Sequence, residues 1–358
     1  METKTHRDDR RDFAARMVGI LNGGALALML SIGHRAGLFD VMAGRHGFAT
    51  SQEIADEAGL VERYVREWLG SMVTGRIVEY CPERSAYRLP PARAAVLTRG
   101  SRPHNMAAAA QWVSLLGAVE DRVLACFERG GGIPLSAYER FHQVMSELSS
   151  ELVVPALRDA ILPLVPGSVA ALERGIDVLD IGCGNGRVAN EMAAAYPASR
   201  FTGYDLSVEA ITMARAEARE RGLENAVFEV RDAADLSAQE SYDLITAFET
   251  LHDMARPANV LAGVVAALRP HGFFLMQDIA GSSHLESDLG FPLAPMLYAV
   301  SCLHSTCVSL AGDGAALGAM WGREQARRML EEAGLVKLAV HSLPHDPINL
   351  YFVAQRSG

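Results

Sequence analysis

The second half of the chain alternates apolar runs rich in β-branched residues with segments of helical periodicity. The apolar runs predict seven strands, near residues 176–181, 200–205, 226–231, 242–248, 271–279, 335–342 and 348–355. The intervening segments predict helices near residues 186–196, 207–221, 256–268 and 321–334. Strands that alternate with helices form a mostly parallel sheet, and the last two runs form a closing, hairpin-like pair. The pattern predicts an α/β fold with a Rossmann-like, seven-stranded sheet instead of the six-stranded dinucleotide fold.

The first half of the chain is mostly helical, and it begins with a strongly apolar segment. Phe13 to about Phe39 has helical periodicity, with a predicted break near Asn22-Gly23-Gly24. The run Met17–Gly33 is at the short limit for a membrane span. A surface this apolar needs a partner, so we interpret it as a buried or intersubunit helix pair and expect no membrane span.

A winged helix is predicted after this segment. Thr50 and Glu53 have the spacing of a helix N-cap box, with helices at 51–58 and 61–75. Two short strands, 77–80 and 86–89, then form a hairpin across a Pro-Glu-Arg-Ser turn.

Winged helices bind DNA or serve as dimerisation and substrate-capping scaffolds. The second helix mixes basic and acidic residues and has no basic stripe, with Arg63, Arg66 and Arg76 set against Glu62 and Glu67. The chain also has a formal net charge of −10, which disfavours a nucleic-acid partner. The sequence favours the scaffold, and DNA binding stays the alternative.

Length and composition place the chain among ordinary globular proteins. The 358 residues are enough for two domains. The five cysteines are scattered without a CxxC pair, and the first sixteen residues are polar and charged. These features predict reduced thiols, no secretory signal and a cytoplasmic location. We expect a winged-helix dimerisation domain at 1–105, a helical connector that helps cover the active site at 106–170, and a third domain at 171–358 with an insertion at 280–320.

A glycine turn follows the first predicted strand of the third domain. Val178–Gly186 reads as a strand, a G-x-G-x-G turn and the N-terminus of a helix, which is an arrangement that binds nucleotide-like cofactors. Asp180 stands two residues before the first glycine. A carboxylate there would repel a pyrophosphate but suits an ammonium group.

Two further acids follow the next two predicted strands. Asp205 ends the second strand and can accept hydrogen bonds from both hydroxyls of a ribose. Asp232 follows the third strand and can accept a hydrogen bond from an adenine amino group. Three acids at successive strand ends, in this order, predict S-adenosylmethionine (SAM) as the cofactor.

Residues 176–355 resemble the class I SAM-dependent methyltransferases. With the winged helix included, the resemblance extends to small-molecule O-methyltransferase-like enzymes of bacteria and plants. It implies a homodimer with intertwined N-terminal helices. It also implies a cofactor site in three parts, with the backbone around Phe248 and Glu249 closing it: Asp180, Gly182, Cys183 and Gly184 for the methionine moiety, Asp205 and Leu206 for the ribose, and Asp232 and Ala233 for the adenine.

The segment Phe248–Met254 carries the candidate catalytic groups. An unperturbed histidine titrates near neutrality, and His252 is predicted at the ligand-facing end of a strand. It matches the His of the His-Asp pair that acts as a base in the resembling enzymes, with Asp253 as its orienting neighbour. Where many relatives have an aromatic residue, this chain has Met254. The alternative for His252 is a helix-capping or packing role.

Two further segments are expected to contribute to the site. Tyr138–Leu152 reads as a helix whose Tyr138 and Phe141 either cover the cofactor or belong to a core stripe. The 280–320 insertion is the predicted substrate lid, with Met296, Tyr298 and His304 as acceptor contacts beside His252. No metal is predicted, because Cys302 and Cys307 do not share a helical face.

The predicted activity is methyl transfer to a small molecule, and a hydroxyl is the favoured acceptor. Transfer to nitrogen or sulfur stays open. Two other classes of function are a SAM-binding winged-helix transcriptional regulator and an enzyme of this fold that catalyses a non-methylating reaction.

Overall fold

The computed structural model describes residues 4–101 and 105–358, with side chains from Asp9 onward. It divides into two compact units, one ending at Gly117 and the other beginning at Ala118. The division lies inside the segment that the sequence assigns to the connector.

The N-terminal unit contains short helices, one long helix and a small sheet. Its helices are α1 Lys4–Arg35, α2 Leu38–Gly44, α3 Ser51–Ala58, α4 Glu62–Thr74, α5 Pro91–Ala94, α6 Met106–Ala109 and α7 Gln111–Gly117, with a 3₁₀ turn at Pro82–Arg84. Its strands are β1 Ala49–Thr50, β2 Glu79–Cys81 and β3 Ala86–Arg88, in the order β1-β3-β2.

The predicted break in the first helix is wrong, because α1 continues through Asn22-Gly23-Gly24 for 32 residues. A glycine costs about 1 kcal/mol relative to alanine in a helix interior, and a helix of many turns tolerates that cost. Apolar side chains of α1 such as Phe13, Ile20 and Leu21 are exposed. Two described helices, Asp9–Arg35 and Ala294–Ala311, are long and apolar enough to cross a membrane.

The winged helix forms as predicted from local sequence signals. Thr50 and Glu53 form the capping box: the Glu53 carboxylate accepts a hydrogen bond from the Thr50 N–H, and the Thr50 hydroxyl accepts one from the Glu53 N–H. The hairpin pairs Tyr80 with Tyr87, whose rings are 5.0 Å apart. Phe39 and Trp68 meet edge to face in the core of this unit. The strand β1, which adds a third strand to the hairpin, is not predicted by the sequence pattern.

The C-terminal unit is an α/β domain. Its helices are α8 Glu120–Arg129, α9 Phe141–Leu152, α10 Ser168–Arg174, α11 Arg187–Ala195, α12 Val208–Glu220, α13 Pro257–Ala267, α14 Leu285–Asp288, α15 Ala294–Val300, α16 Thr306–Ala311 and α17 Arg323–Glu332. Single turns of 3₁₀ or π-helix occur at Leu135–Ala137, Val154–Ala156, Leu157–Ile161, Leu162–Leu164, Ala233–Asp235, Leu251–Asp253 and Ser301–Ser305. Its strands are β4 Asp177–Ile181, β5 Arg200–Asp205, β6 Ala226–Val230, β7 Tyr242–Phe248, β8 Leu268–Ile279, β9 Leu335–Leu343 and β10 Asp346–Arg356.

The seven-stranded sheet is confirmed, with the order β6-β5-β4-β7-β8-β10-β9. The pairs from β6 to β8 are parallel, and β10 runs antiparallel to both β8 and β9. The central strand β4 pairs Val178 with Phe201 of β5 on one side and with Leu244 of β7 on the other. The strand order switches sides at β4: β5 and β6 lie on one side of it, and β7 and β8 lie on the other. In such a sheet, the carboxyl ends of the strands beside the switch point form the usual ligand-binding crevice.

Adjacent residues of the central strands enter two different cores, because side chains alternate across a sheet. Leu179 packs with residues of α13 and α17, whereas Val178 packs with residues of α10 and α11. Both faces of the sheet are therefore covered. The crevice at the carboxyl edge is where polar side chains can face a cavity.

Candidate active site

A cavity of about 260 Å³ lies at the carboxyl edge of β4, β5 and β7. Its walls include twelve of the residues that the sequence predicts for the site: Phe141, Asp180, Gly182, Cys183, Gly184, Asp205, Leu206, Asp232, Ala233, Phe248, Glu249 and Asp253. Five other predicted residues lie outside these walls in the described part of the chain: Tyr138, His252, Met296, Tyr298 and His304.

The backbone conformation of the turn after β4 requires glycine at three positions. Gly182, Gly184 and Gly186 have φ of +63°, +54° and +72°, a region that residues with a Cβ rarely adopt. A Cβ on Gly182 would lie 2.0 Å from the Thr250 Oγ1, so this glycine lets the loop after β7 approach the turn. A Cβ on Gly184 would meet no atom within 4 Å. The turn thus leaves the cavity open beside Gly184.

Asp180 is a buried carboxyl group at the end of β4. Only 3% of the residue is exposed, and its Oδ1 accepts a 2.7 Å hydrogen bond from the Thr246 hydroxyl. Burial, with a further contribution from the charge of Asp205, raises the pKa of Asp180 to about 7, although the Thr246 bond acts in the opposite direction. Burial makes the ionised form of Asp180 unfavourable, and a cationic ligand group beside the carboxylate would stabilise that form. The position therefore favours a cationic ligand group.

Asp205 connects the end of β5 to the glycine turn. Its Oδ2 accepts a 2.8 Å hydrogen bond from the Gly184 N–H, and its Oδ1 accepts one of 2.8 Å from the Ser207 N–H. Each carboxylate oxygen retains further acceptor capacity. Asp205 can therefore hold the turn in place and still accept hydrogen bonds from ligand hydroxyls.

Asp232 is held by groups on two sides. Its Oδ1 accepts a 2.8 Å bond from the Ala234 N–H, and its Oδ2 accepts a 2.7 Å bond from Arg256. Arg256 also lines the cavity and was missed by the sequence analysis. The sequence around Arg256 does not indicate its contact with Asp232, because this contact joins two loops that are remote in sequence.

His252 is buried and fixed by an acid that the sequence analysis also missed. Its Nδ1 lies 2.8 Å from Asp278 Oδ1, and its Nε2 lies 3.4 Å from Asp253 Oδ1. Burial alone would lower the pKa of His252, but the charges of Asp278 and Asp253 outweigh it and raise the pKa to about 10. Asp278 lies in the apolar strand predicted at 271–279, and a buried acid in such a run needs a polar partner. This pattern is the sequence signal that could have identified Asp278 as a site residue.

His304 is buried beside Asp253 and is not among the described residues that line the cavity. Its Nδ1 is 3.6 Å from Asp253 Oδ2, and its ring stacks on Phe141 at 4.4 Å with an interplanar angle of 15°. Tyr138 meets the same imidazole edge to face at 4.7 Å and donates a 2.6 Å hydrogen bond to the Leu303 carbonyl. The predicted helix start at Tyr138 is wrong, because α9 begins at Phe141 after a 3₁₀ turn.

Glu249 follows β7 in a strained conformation, with φ of +48°. Its Oε1 accepts a 2.7 Å hydrogen bond from the Asn349 side chain. Burial and the nearby charge of Asp346 raise the pKa of Glu249 to about 7. Asp346 is itself buried and accepts hydrogen bonds from Gln277 and Tyr351.

One face of α9 supplies part of the cavity wall. The face consists of four residues that the sequence analysis did not assign to the site: His142, Met145, Ser146 and Ser149. Their spacing, near three and four residues, is the pattern of one helical face and could have identified them. With Met254 and Val308, this side of the cavity is partly apolar.

The lid segment contributes less to the wall than predicted. Tyr298 donates a 3.1 Å hydrogen bond to Asp288, within the 280–320 segment, and Met296 lies on the same short helix, α15. Cys307 Sγ contacts the Cys302 carbonyl at 3.3 Å. Within residues 4–101 and 105–358, no group of three or more His, Cys, Asp and Glu side chains could hold a metal ion.

Two family models match the chain. An Rv2258c-like winged HTH domain matches residues 24–99, and a methyltransferase domain matches residues 172–334. The ubiquinone biosynthesis O-methyltransferase of Photobacterium profundum is 33% identical over 120 residues, which cover 32% of this chain and 50% of that protein. The chain thus spans about half the length of the curated relatives it matches.

Solved structures share the fold over nearly the full length. A putative O-methyltransferase from Nostoc punctiforme aligns with a TM-score of 0.71 and 20% identity over 95% of this chain and 98% of its own. Human N-acetylserotonin methyltransferase, solved in complex with SAM, aligns with a TM-score of 0.68 and 18% identity, over 96% of this chain and 98% of its own.

The residues present fit SAM. The buried carboxyl group of Asp180 suits the ammonium group of SAM. The open space beside Gly184 leaves room for the amino-acid part of SAM. Asp205 and Asp232 stand at the next two strand ends and line the same cavity. The chain therefore consists of a winged-helix domain over residues 24–99 followed by a methyltransferase domain over residues 172–334, and the residues of its cavity fit S-adenosylmethionine as the cofactor.

Proposed function

We propose that the protein transfers a methyl group from SAM to a hydroxyl of a small molecule. The observation that carries this proposal is a single cavity that joins the three strand-end acids to Asp253 and the face of α9. When bound, SAM supplies an electrophilic methyl carbon on a sulfonium. The chain supplies a walled site that can align a second molecule with that carbon, and alignment alone contributes about 7–11 kcal/mol to such reactions.

The proposal gives separate roles to the two ends of the cavity. Asp180 holds the ammonium group, Asp205 the ribose hydroxyls and Asp232 the adenine amino group. The remaining wall combines Phe141, Met145, Met254 and Val308 with the serines of α9. This mixture favours a moderately hydrophobic acceptor with a few polar groups.

A hydroxyl must lose its proton when it is methylated, and a positioned base adds about 10²–10⁴-fold to the rate. The proposed proton acceptor is the His252–Asp253 pair, whose members lie 3.4 Å apart beside the cavity. For His252→Ala we expect intact SAM binding and a turnover loss of about 10²-fold. His46→Ala, at an exposed position of the winged-helix unit, is the matched control.

Calorimetry with SAM, followed by detection of S-adenosylhomocysteine with candidate acceptors, tests the proposal. Binding of SAM together with acceptor-dependent S-adenosylhomocysteine supports it, and mass spectrometry of the methylated product distinguishes oxygen from nitrogen or sulfur. Binding of SAM with conversion of the acceptor but no S-adenosylhomocysteine would contradict methyl transfer and favour a non-methylating reaction. Failure to bind SAM would contradict the proposal at its first step.

We propose further that the chain is a cytoplasmic homodimer joined through α1. The exposed apolar side chains of α1 favour a second copy as the covering surface. The winged helix does not favour DNA, because Arg63 pairs with Glu67 and Arg66 pairs with Glu62 on α4. A gel shift with genomic fragments at moderate salt would contradict this choice if it showed specific binding.

A further inference from the structure

Glu249 places a carboxyl group in the cavity wall, and it forms no ion pair within the described part of the chain. The residue is only partly buried. Its Oε1 accepts the 2.7 Å hydrogen bond from Asn349. Its Oε2 accepts none from the described residues and is not one of their fully buried polar atoms without a partner. One carboxyl oxygen of Glu249 is therefore open toward the cavity.

Contacts from two strands fix the position of this carboxyl group. The Glu249 N–H donates a 3.0 Å hydrogen bond to the Gln277 carbonyl of β8, and the backbone holds the strained φ of +48°. Asn349 of β10 divides its side-chain amide between Glu249 and Asp346. Strain of this kind persists where the surrounding structure enforces it, and it is common at ligand sites. The carboxyl group is thus built into the wall.

The acid beside Glu249 already has its own hydrogen-bond donors. Asp346 is buried, and it accepts bonds of 2.7 Å from both Gln277 and Tyr351 in addition to the Asn349 amide. Burial and the charge of Asp346 raise the pKa of Glu249 to about 7, so its ionised form is unfavourable. A positively charged ligand group at the open oxygen would stabilise that ionised form.

The charges of SAM match two acids of the cavity wall. SAM has two positive centres, an ammonium and a sulfonium, and Asp180 and Glu249 are two wall acids whose pKa is raised. The sulfonium carries three carbons. Its methionine chain leads to Asp180 and its ribose carbon leads to Asp205, so its methyl carbon faces the rest of the wall. Glu249 belongs to that wall, because it follows β7, on the side of β4 opposite to β5.

From this arrangement we infer that the Glu249 carboxylate is the counter-charge of the sulfonium and makes the site prefer SAM over S-adenosylhomocysteine. The inference rests on the SAM site of the proposed function and not on the identity of the acceptor. Methyl transfer breaks the bond between the sulfur and the methyl carbon. The methyl group passes to the acceptor, and the bonding electron pair stays on the sulfur, which becomes neutral. The product then lacks the charge that faces Glu249, which favours its release.

Calorimetry with three ligands tests the assignment: SAM, S-adenosylhomocysteine, and sinefungin, which has an amine-bearing carbon in place of the methylated sulfur. In Glu249→Gln we expect SAM and sinefungin to bind about 10-fold more weakly or more, because a charge pair is lost, and S-adenosylhomocysteine to change by less than about 2-fold. Asp180→Asn is the matched control and should weaken all three ligands by similar factors, because all three carry the ammonium group. Any other pattern in Glu249→Gln, including equal weakening of all three ligands or of none, overturns the inference.

The wild-type protein allows a second test that needs no substitution. The titratable groups around Glu249 are His252 of the same loop, Asp278 of β8, and Asp346 and Tyr351 of β10. The ratio of the SAM affinity to the S-adenosylhomocysteine affinity cancels whatever the two ligands share, including the ammonium group. We expect this ratio to fall by about 10-fold in total between pH 7.5 and 5.5, because Glu249 is protonated below its pKa of about 7. A ratio that does not depend on pH overturns the inference.

The inference and the proposed function fail in different ways. A wild-type protein that binds neither SAM nor S-adenosylhomocysteine contradicts the SAM site and, with it, the proposed function. A wild-type protein that binds both ligands, while Glu249→Gln weakens both equally, contradicts only the role of the Glu249 carboxylate. Acceptor-dependent formation of S-adenosylhomocysteine supports methyl transfer whichever result Glu249→Gln gives.

Discussion

Thr246 donates a 2.7 Å hydrogen bond to Asp180, although 66 residues separate them in the chain. The bond joins β7 to β4 at the point where the sheet opens into the cavity. It occupies Oδ1 of a carboxyl group that belongs to a buried residue and lines the cavity. The bond therefore fixes the direction in which Asp180 can receive a cation.

We predict that Asp180→Asn weakens SAM binding by about 10-fold or more, since a charge-assisted hydrogen bond contributes roughly 1.5–3 kcal/mol. The same change should raise the melting temperature of the SAM-free protein at pH 8, because it removes a buried charge. Calorimetry and thermal unfolding measure the two effects. Thr246→Val is the control that keeps the charge and removes only the orienting bond. A lower melting temperature for Asp180→Asn at pH 8 would contradict the burial argument.

The pKa of Asp180 also predicts how SAM binding depends on pH. Between pH 7.5 and 5.5 we expect the affinity to fall below pH 7, by up to about tenfold per pH unit, because the ammonium group binds only the ionised acid. The folded pKa is raised above the unfolded value, so stability of the SAM-free protein declines as the pH rises from about 4 through 7. Titration calorimetry across this range provides the measurement. A pH-independent affinity in wild type would contradict the prediction.

Asp205→Ala should abolish measurable SAM binding. The change removes the ribose acceptor, and it also releases the Gly184 N–H that Asp205 holds at 2.8 Å. Calorimetry measures the affinity, and far-ultraviolet circular dichroism checks the fold. Glu220→Ala, at an exposed position of α12, is the matched acid control. An unchanged affinity in Asp205→Ala would contradict the cofactor assignment of this residue.

The glycine turn allows a paired test. Gly182→Ala should destabilise the protein by about 1–3 kcal/mol or more, because strain at positive φ adds to a collision with Thr250. Gly184→Ala has similar strain and no collision, so it should cost less stability. Urea unfolding gives both values. Equal losses for the two variants would show that the Thr250 contact does not matter.

The proposed dimer predicts that Leu21→Asp produces a monomer. A charge at this exposed apolar position of α1 would have to be buried in an interface between two copies, at a cost of several kcal/mol. Light scattering on a size-exclusion column measures the molar mass. Asp12→Asn, on the same helix, should leave the dimer intact. A wild-type monomer at micromolar concentration would contradict the proposal.

Local sequence signals predicted most of the elements and the position of the cofactor site. The strands from 176–181 to 348–355 and the Thr50–Glu53 capping box are confirmed, because periodicity and capping depend on neighbours within a few residues. The three acids could be assigned to one edge because parallel strands bring their carboxyl ends together. The same signals misplaced two helix limits, at Asn22–Gly24 and at Tyr138.

By itself, then, the sequence determined the order of elements, the winged helix and the strand ends that carry Asp180, Asp205 and Asp232. Only the tertiary structure decided that Asp253 faces the cavity while His252 is turned toward Asp278, and that Arg256 holds Asp232. The physical reason is that each of these contacts joins separate strands or loops. Their geometry depends on how the sheet and its covering segments pack, and no local pattern of residues encodes it.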